Sequence, residues 1–341
     1  MTTYFIQDEH CREIGPRLKA CIADGDIGPG RYVRTLEEKA CELSGKKYAV
    51  ATVSGTTALW LAMRSAFQQG AGITIPAYGH VAAINAALMA GLDVKLADIN
   101  AIGDKGPLGL FHVKQLTTSL CVVWPSGRLQ GREHWINEAI SNGYPVIEDA
   151  ACAFGEPLPG YVMGAVWSLS GPKIVSAGQG GILLTDEQDL AYAARAFCDQ
   201  GRGFREHNRV LQGGLNLRMS NISAAYALDQ CEFLEERWAQ RALVQDAFKK
   251  AMPEGPRYIG GLHNIIFFAA EKDLRHAKAA LEHAEIACDQ PYRCLSSHPR
   301  YHVAGGEFPG ARKWESLALY LPFGPGMTPE LATRICEVIA E

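Results

Sequence analysis

The order of apolar and amphipathic segments is the feature that most constrains the fold of this 341-residue chain. Strand-like segments alternate with helix-like ones: strands at 73–76, 94–98, 120–124 and 145–149, and helices at 56–69, 81–90 and 133–141. Strands and helices that alternate along a chain usually form a mostly parallel sheet with helices on its faces. The sequence therefore predicts an α/β fold.

The length of the chain exceeds what one small core needs, so we expect two domains. A long helical segment from about 220 to 250 closes the first of them. Beyond it the pattern is typical of a strand at 265–268 and of helices at 274–284 and 329–340. We expect a large domain over residues 1–240, which includes an N-terminal helical segment, and a small α+β C-terminal domain over residues 241–341.

Composition excludes several classes of function. The net charge is −4 and no basic stripe is present, which argues against a nucleic-acid partner. The first residues lack a basic segment followed by an apolar run, and no apolar stretch reaches membrane-spanning length. Ten scattered cysteines without a Cys-x-x-Cys pair are typical of reduced, mostly buried thiols, so we expect a cytoplasmic protein without a bound metal.

Three groups of polar residues lie where predicted strands end, which is where open α/β sheets bind ligands. Gly55 and Thr56 begin a predicted helix, whose free N–H groups attract anions such as phosphate. Asp149 directly follows an apolar strand and needs a cationic or donor partner. Ser168 and Lys173 lie just before glycine-rich residues, and Lys173 has few charged neighbours, as lysines that attack aldehydes often do.

Each of these signals also has an ordinary structural explanation. Gly55 and Thr56 form a common helix start, and Asp149 could simply cap a loop. Lys173 could be a surface lysine beside a turn. His80, which follows the strand at 73–76, could stack on a flat ligand or could be a packing residue. The residues alone leave these alternatives open.

Five segments follow one another along the chain: SGTTAL at 54–59, IPAYGHVA at 75–82, EDAACAFG at 148–155, SLSGPKIVSAGQGG at 168–181 and GLNLRMSN at 214–221. In this order they resemble the DegT/DnrJ/EryC1/StrS family of PLP-dependent sugar aminotransferases, which have the type I aminotransferase fold. The resemblance extends from about residue 28 to residue 241. The resemblance implies a large domain with a mostly parallel mixed sheet and a smaller α+β domain.

The resemblance also implies roles for individual residues. Lys173 is expected to form a Schiff base with the aldehyde of pyridoxal 5′-phosphate and then to move the proton as a base. Asp149 is expected to hold the pyridine nitrogen and His80 to stack on the ring. The residues expected to bind the phosphate are Gly55, Thr56, Ser168 and, from the neighbouring subunit, Asn216. The last contact implies a homodimer with shared active sites.

Two positions depart from the family pattern. Cys152 stands near the expected ring hydroxyl, where the family usually has Gln or His, and a thiol is a weaker donor. Gln179 replaces the glutamate that commonly precedes the double glycine, which removes a charge on the substrate side. Both positions leave the essential groups of transamination in place.

The resemblance predicts transfer of an amino group from an amino acid, with glutamate expected, to the keto group of a nucleotide-linked sugar. Transamination of a cyclitol or another keto sugar is an alternative, as is a PLP-binding protein with altered or lost turnover. A dehydratase branch of the family has His at the lysine position, so Lys173 argues against that reaction. A dinucleotide enzyme is excluded because Gly178–Gly181 precedes a strand and does not begin a helix.

Overall fold

The computed structural model describes residues 5–8, 14–99, 118–123, 132–158, 160–203, 209–252, 254–290, 292–301 and 306–341. Within these residues the strands form two sheets, one with seven strands and one with three. The strands of the large sheet are β1 Tyr48–Thr52, β2 Gly72–Pro76, β3 Asp93–Ala97, β4 Ser119–Val123, β5 Val146–Asp149, β6 Gly164–Ser168 and β7 Gly181–Thr185. Those of the small sheet are β8 Arg257–Ile259, β9 Asn264–Phe267 and β10 Ala318–Leu321.

Helices connect most of these strands. The helices that precede or connect the strands of the large sheet are α1 Pro16–Ala23, α2 Arg31–Ser44, α3 Gly55–Ala66, α4 Ala82–Met89 and α5 Arg132–Ser141. Those that follow β7 are α6 Gln188–Cys198, α7 Asn221–Cys231, α8 Leu234–Ala251, α9 Glu271–His283, α10 Pro309–Leu317 and α11 Pro329–Ala340. Among the described residues no helix is both long and apolar enough to cross a membrane.

The large sheet has the order β1-β7-β6-β5-β4-β2-β3. Strand β7 runs antiparallel to both of its neighbours, β1 and β6. The pairs from β6 to β3 are all parallel. Strands β5, β6 and β7 are buried along their whole length, as expected for central strands covered on both faces. The prediction of an α/β fold with a mostly parallel mixed sheet is therefore confirmed.

The small sheet is antiparallel, with β9 between β8 and β10. Its core joins residues of the sheet to α8, α9 and α11, among them Phe248, Ile266, Leu274 and Ile335. This arrangement agrees with the α+β organisation expected for the end of the chain.

The structure corrects the expected helix from about 220 to 250. Two helices, α7 and α8, occupy this stretch, and Phe233 between them leaves the helical backbone geometry at φ −101° and ψ 9°. No glycine or proline stands between residues 220 and 250, so the sequence offers no local signal for the break. The expected strand at 120–124 extends to a residue outside the described part of the chain, and β4 ends at Val123.

The parallel strands bring distant segments to one edge of the large sheet. Strands β2, β5 and β6 run in the same direction, so the residues that follow their carboxyl ends meet there. The start of α3 directly follows β1 and lies at the same edge, beside β7. The close contact between Gly181 of β7 and the backbone of Ser54 shows this position. A ligand site is therefore expected at this edge of the large sheet.

Candidate active site

A cavity of about 270 Å³ opens at this edge of the large sheet. Its volume is close to the lower end of the range for small-molecule and cofactor sites. Seven of the eight predicted site residues line it: Gly55, Thr56, His80, Asp149, Cys152, Ser168 and Lys173. These residues lie between 5 positions (Ser168) and 118 positions (Gly55) from Lys173 in the sequence, and the sheet topology brings them together in one cavity.

The first wall of the cavity is the N-terminus of α3. Ser54 caps this helix, since its side chain accepts a hydrogen bond of 3.1 Å from the backbone N–H of Thr57. The N–H groups of the first helical turn have no partner within the helix, and the helix dipole adds positive potential there. Gly55 and Thr56 therefore offer an anion site at the cavity wall.

Close packing presses this helix start against the neighbouring strands. A Cβ on Gly55 would lie 2.9 Å from Cβ of Ser168, and a Cβ on Gly181 would lie 2.4 Å from the backbone carbon of Ser54. Only glycine permits these approaches. They place the buried Ser168 hydroxyl beside the helix start, where it adds a donor to the anion site.

Asp149 is a buried carboxylate at the end of β5, and it is only 4 % exposed. Burial raises its pKa, while a 3.1 Å hydrogen bond from the N–H of Ala151 and the charges of Lys173 and His80 act in the opposite direction. Burial dominates because the charged form loses hydration without gaining a full ionic partner. A cationic N–H group placed in the cavity would therefore stabilise the ionised form of Asp149.

Lys173 lies in the turn between β6 and β7, where its backbone N–H donates to the carbonyl of Ser170 at 3.1 Å. Its Nζ donates a hydrogen bond to Sγ of the buried Cys152, at 2.9 Å. The amine is thus held inside the cavity by a thiol. A primary amine in this position can attack the carbonyl carbon of a bound aldehyde.

His80 has an exposed surface at the cavity wall. Partial desolvation of its ring and the charge of Lys173 lower the pKa of His80, although the charge of Asp149 acts in the opposite direction, so the neutral ring is favoured. Its Nδ1 accepts a 3.1 Å hydrogen bond from the N–H of Ala82, which requires the unprotonated nitrogen. A neutral, flat ring of this kind can stack on a planar ligand.

Tyr292 also lines the cavity, and it was not predicted as a site residue. Its ring meets the ring of His80 edge-on, with centroids 5.9 Å apart. A hydrogen bond of 2.7 Å from the N–H of Leu295 to the carbonyl of Ala77 ties its loop to the end of β2. This contact places the loop of Tyr292 beside the cavity.

Asn216 lies outside the cavity, on an exposed part of the surface. Its Oδ1 accepts a hydrogen bond of 3.3 Å from Nε of Arg218. Within a single chain, then, Asn216 does not join the other predicted residues. Exposed apolar side chains accompany it on the same segment, namely Val210, Leu211 and Leu215.

The chemistry of the cavity fits pyridoxal phosphate. The phosphate needs an anion site, which the start of α3 and Ser168 offer. The ring nitrogen needs a carboxylate, and the buried Asp149 lacks a full cationic partner among the described residues. The aldehyde needs a primary amine, which Lys173 places in the same cavity.

Comparison with known proteins places this geometry in a family. The model of the DegT/DnrJ/EryC1/StrS aminotransferase family matches residues 9–340. The GDP-perosamine synthase of Escherichia coli O157:H7 is 27% identical over 342 residues, which cover 92% of this chain and 90% of that protein.

Two solved structures share the fold. Helicobacter pylori PseC, an aminotransferase involved in the biosynthesis of pseudoaminic acid, has a TM-score of 0.84 at 18% identity and covers 99% of this chain and 98% of its own. NtdA from Bacillus subtilis, solved with bound cofactor PMP, has a TM-score of 0.82 at 21% identity, with 98% and 82% coverage. The expected type I aminotransferase fold is confirmed.

The family match spans nearly the whole chain, and the residues of the cavity suit the cofactor that the family uses. The chain therefore belongs to the DegT/DnrJ/EryC1/StrS aminotransferase family and is a PLP-dependent aminotransferase.

Proposed function

We propose that the protein transfers an amino group from an amino acid, which we take to be glutamate, to the keto group of a nucleotide-linked sugar. The observation that supports this function best is the convergence of Lys173, Asp149 and the start of α3 in one cavity. The sugar class is supported by the similarity to a GDP-perosamine synthase. Pyridoxal phosphate, when bound, supplies the electron sink for the reaction.

The residues that line the cavity have separate roles in the proposed reaction. Gly55, Thr56 and Ser168 would bind the phosphate and fix the position of the cofactor. Asp149 would accept a hydrogen bond from the ring nitrogen and keep it protonated, because the positive charge offsets the burial of the carboxylate. His80 would stack on the ring.

Lys173 acts as the base of the proposed reaction. Its Nζ would accept the proton from the α-carbon of the bound donor and hold it inside the cavity for the return step. The thiol of Cys152, 2.9 Å from Nζ, keeps the amine inside the cavity between these steps. The donor leaves as a keto acid before the keto sugar binds, so ping-pong kinetics are expected.

A panel of nucleotide-linked keto sugars, each incubated with ¹⁵N-labelled glutamate, tests this function. We expect one sugar to become a ¹⁵N-labelled amino sugar, with 2-oxoglutarate formed in equal amount. The Lys173→Ala variant serves as the control without the base and should yield neither product. Amino transfer to free cyclitols alone would favour the cyclitol alternative, and failure with every donor and acceptor would refute an active transaminase.

We also propose a homodimer in which Asn216 of each subunit completes the phosphate site of the other. The exposed Val210, Leu211 and Leu215 beside Asn216 support this arrangement, because exposed apolar side chains of this kind are common at subunit interfaces. Mixing Lys173→Ala with Asn216→Asp subunits at limiting cofactor tests it. Shared sites predict recovery to about one quarter of wild-type activity, since half of the dimers are mixed and each has one intact site. No recovery after proven subunit exchange would contradict the proposal.

Two further expectations stay proposals. A division into domains at residues 240 and 241 is supported by the two sheets, which lie on either side of that point, although residue 240 itself lies within α8. A cytoplasmic location is supported by the nine cysteines of the described residues, all of which are free thiols.

A further inference from the structure

Two nitrogens of the Arg241 guanidinium, on α8, are buried without a partner. These atoms, Nε and Nη1, make no hydrogen bond to any of the described residues. Arg237, one helical turn earlier, shows the contrast, because it donates to both carboxylate oxygens of Asp8, at 2.7 and 3.0 Å. Buried charged groups in proteins are normally paired, since the loss of hydration is costly. A ligand that the chain does not itself supply is therefore expected at Arg241.

A small cavity lies against this guanidinium, between α8 and the small sheet. Its volume is about 30 Å³. The side chains of Val244, Leu262 and Met327 form apolar walls, and Arg241 and Lys173 also line it. This space holds about two waters, so an organic acid or a phosphate does not fit. Only a very small ligand can reach the unpaired nitrogens from this side.

The charge around the cavity is positive. No aspartate or glutamate is present among the described residues that line it, and Asp8 is already engaged by Arg237. Burial lowers the pKa of Arg241 to about 10, so the guanidinium still carries its charge at neutral pH. The charge of Glu156 acts in the opposite direction on this pKa, but from a distance. An anion inside the cavity would compensate a charge that the surrounding side chains leave largely uncompensated.

We propose that this cavity is a halide site in which the guanidinium of Arg241 binds a chloride ion. Chloride is a single atom that accepts hydrogen bonds from N–H donors, so it suits a volume that polyatomic anions exceed. Its negative charge compensates the guanidinium, whereas two neutral waters would only hydrate it. The site takes no part in amino transfer, so this proposal stands or falls independently of the proposed function.

Bromide in crystals of the holoenzyme tests the site directly. Bromide replaces chloride in halide sites, and its anomalous scattering distinguishes it from water. We expect an anomalous peak in the cavity, within hydrogen-bond distance of a guanidinium nitrogen of Arg241, and no such peak in Arg241→Gln. Density for water without an anomalous peak in the wild-type crystals would overturn the proposal.

Thermal unfolding of the holoenzyme tests the site in solution, with sodium chloride replacing sodium gluconate at constant total concentration. Gluconate is too large for the cavity, and a ligand of the folded state raises the unfolding temperature. At chloride about tenfold above its dissociation constant, the rise should be about 2–4 °C. Arg275→Gln, which removes a surface arginine with a side chain 69% exposed, should respond like the wild type, whereas Arg241→Gln should not respond.

A bromide peak without this rise would mean binding at crystal concentration only and would overturn a chloride site in solution. An equal rise in Arg241→Gln and the wild type would overturn the assignment to Arg241. Where Arg241→Gln does not fold, as judged by circular dichroism, Val244→Ile replaces it, because the added methylene group fills part of the cavity and keeps the guanidinium. The unfolding temperature of Val244→Ile should respond less to chloride, and a response equal to that of the wild type would equally overturn the assignment.

Discussion

Burial decides what each polar residue of the site can do. Asp149 is exposed at only 4 %, and burial raises its pKa because the charged form lacks hydration. His80 has an exposed surface at the cavity wall, but partial loss of hydration still lowers its pKa and favours the neutral ring. Loss of hydration thus accounts for both properties: Asp149 needs a cationic partner, and the ring of His80 is neutral.

Replacement of Asp149 by asparagine tests the importance of this carboxylate. Asparagine has nearly the same shape but cannot keep a ring nitrogen protonated, so kcat for amino transfer should fall about 10²- to 10³-fold. Steady-state kinetics at saturating cofactor measure the effect. Asp189→Asn, at an exposed position in the first turn of α6, is the control and should leave kcat unchanged. A kcat for Asp149→Asn within threefold of the wild type would contradict the role.

At this scale the sequence predicts the residues that follow strand ends and misses those that arrive through tertiary packing. Asp149 and Ser168 stand directly at the ends of β5 and β6, so their position on the sheet edge can be inferred. Tyr292 reaches the cavity because a loop more than two hundred residues away docks on the end of β2 through Leu295. No local pattern marks it, and the same holds for Arg241 on α8.

Glycines control how closely the elements approach each other at the phosphate end of the cavity. Strand β7 passes the start of α3 so closely that a Cβ on Gly181 would lie 2.4 Å from the carbonyl carbon and oxygen of Ser54. Both atoms belong to the backbone, so no side-chain rotation could relieve the contact. The anion site thus depends on Gly181, although this residue is not part of the cavity wall.

Gly181→Ala should therefore push α3 away from β7. Overpacking of this kind costs about 1–3 kcal/mol, so the free energy of unfolding in urea should fall by that amount. Affinity for the cofactor should fall as well, because Gly55 and Thr56 move with the helix. Gly171→Ala, at a position in the same connection with no atom within 4 Å of the added Cβ, provides the control. Equal urea midpoints and cofactor affinities for the two variants would refute this explanation.

Element boundaries are predicted well where a breaker or a cap marks them. Thr328 and Pro329 mark the start of α11, and Thr328 accepts the capping hydrogen bond from the N–H of Leu331. The break between α7 and α8 lacks such a residue: Phe233 leaves the helical geometry, and its side chain makes no capping hydrogen bond. The sequence therefore predicts a helix that the structure divides in two.

For the molecule as a whole, a buried histidine links stability to pH. Burial lowers the pKa of His263 well below 6.5, and the charges of Lys173 and Arg241 act in the same direction. As pH falls below 6.5, His263 takes up a proton in the unfolded chain but stays neutral in the folded chain. The contribution of neutral His263 to the free energy of unfolding is therefore full above that pH. It is lost on acidification, by up to about 1.4 kcal/mol per pH unit.

Thermal unfolding of the cofactor-free protein between pH 7.5 and pH 5.5 measures this effect. His263→Phe retains a ring between Tyr320 and Phe323 but cannot take up a proton, so its unfolding temperature should fall less with pH than that of the wild type. The slope is the test, since the substitution can change stability at pH 7.5 by itself. Identical slopes for the two proteins would exclude His263 as the source.

The central claim is that Lys173, at the wall of the cavity, is the point of attachment of the cofactor and the base of amino transfer. Borohydride reduction of the holoenzyme, followed by digestion and mass spectrometry of the peptides, tests it most directly. We predict that the cofactor is fixed to Lys173, that prior addition of glutamate greatly reduces this fixation, and that Lys173→Ala has none. Fixation to another lysine, or equal fixation in Lys173→Ala, would contradict the claim.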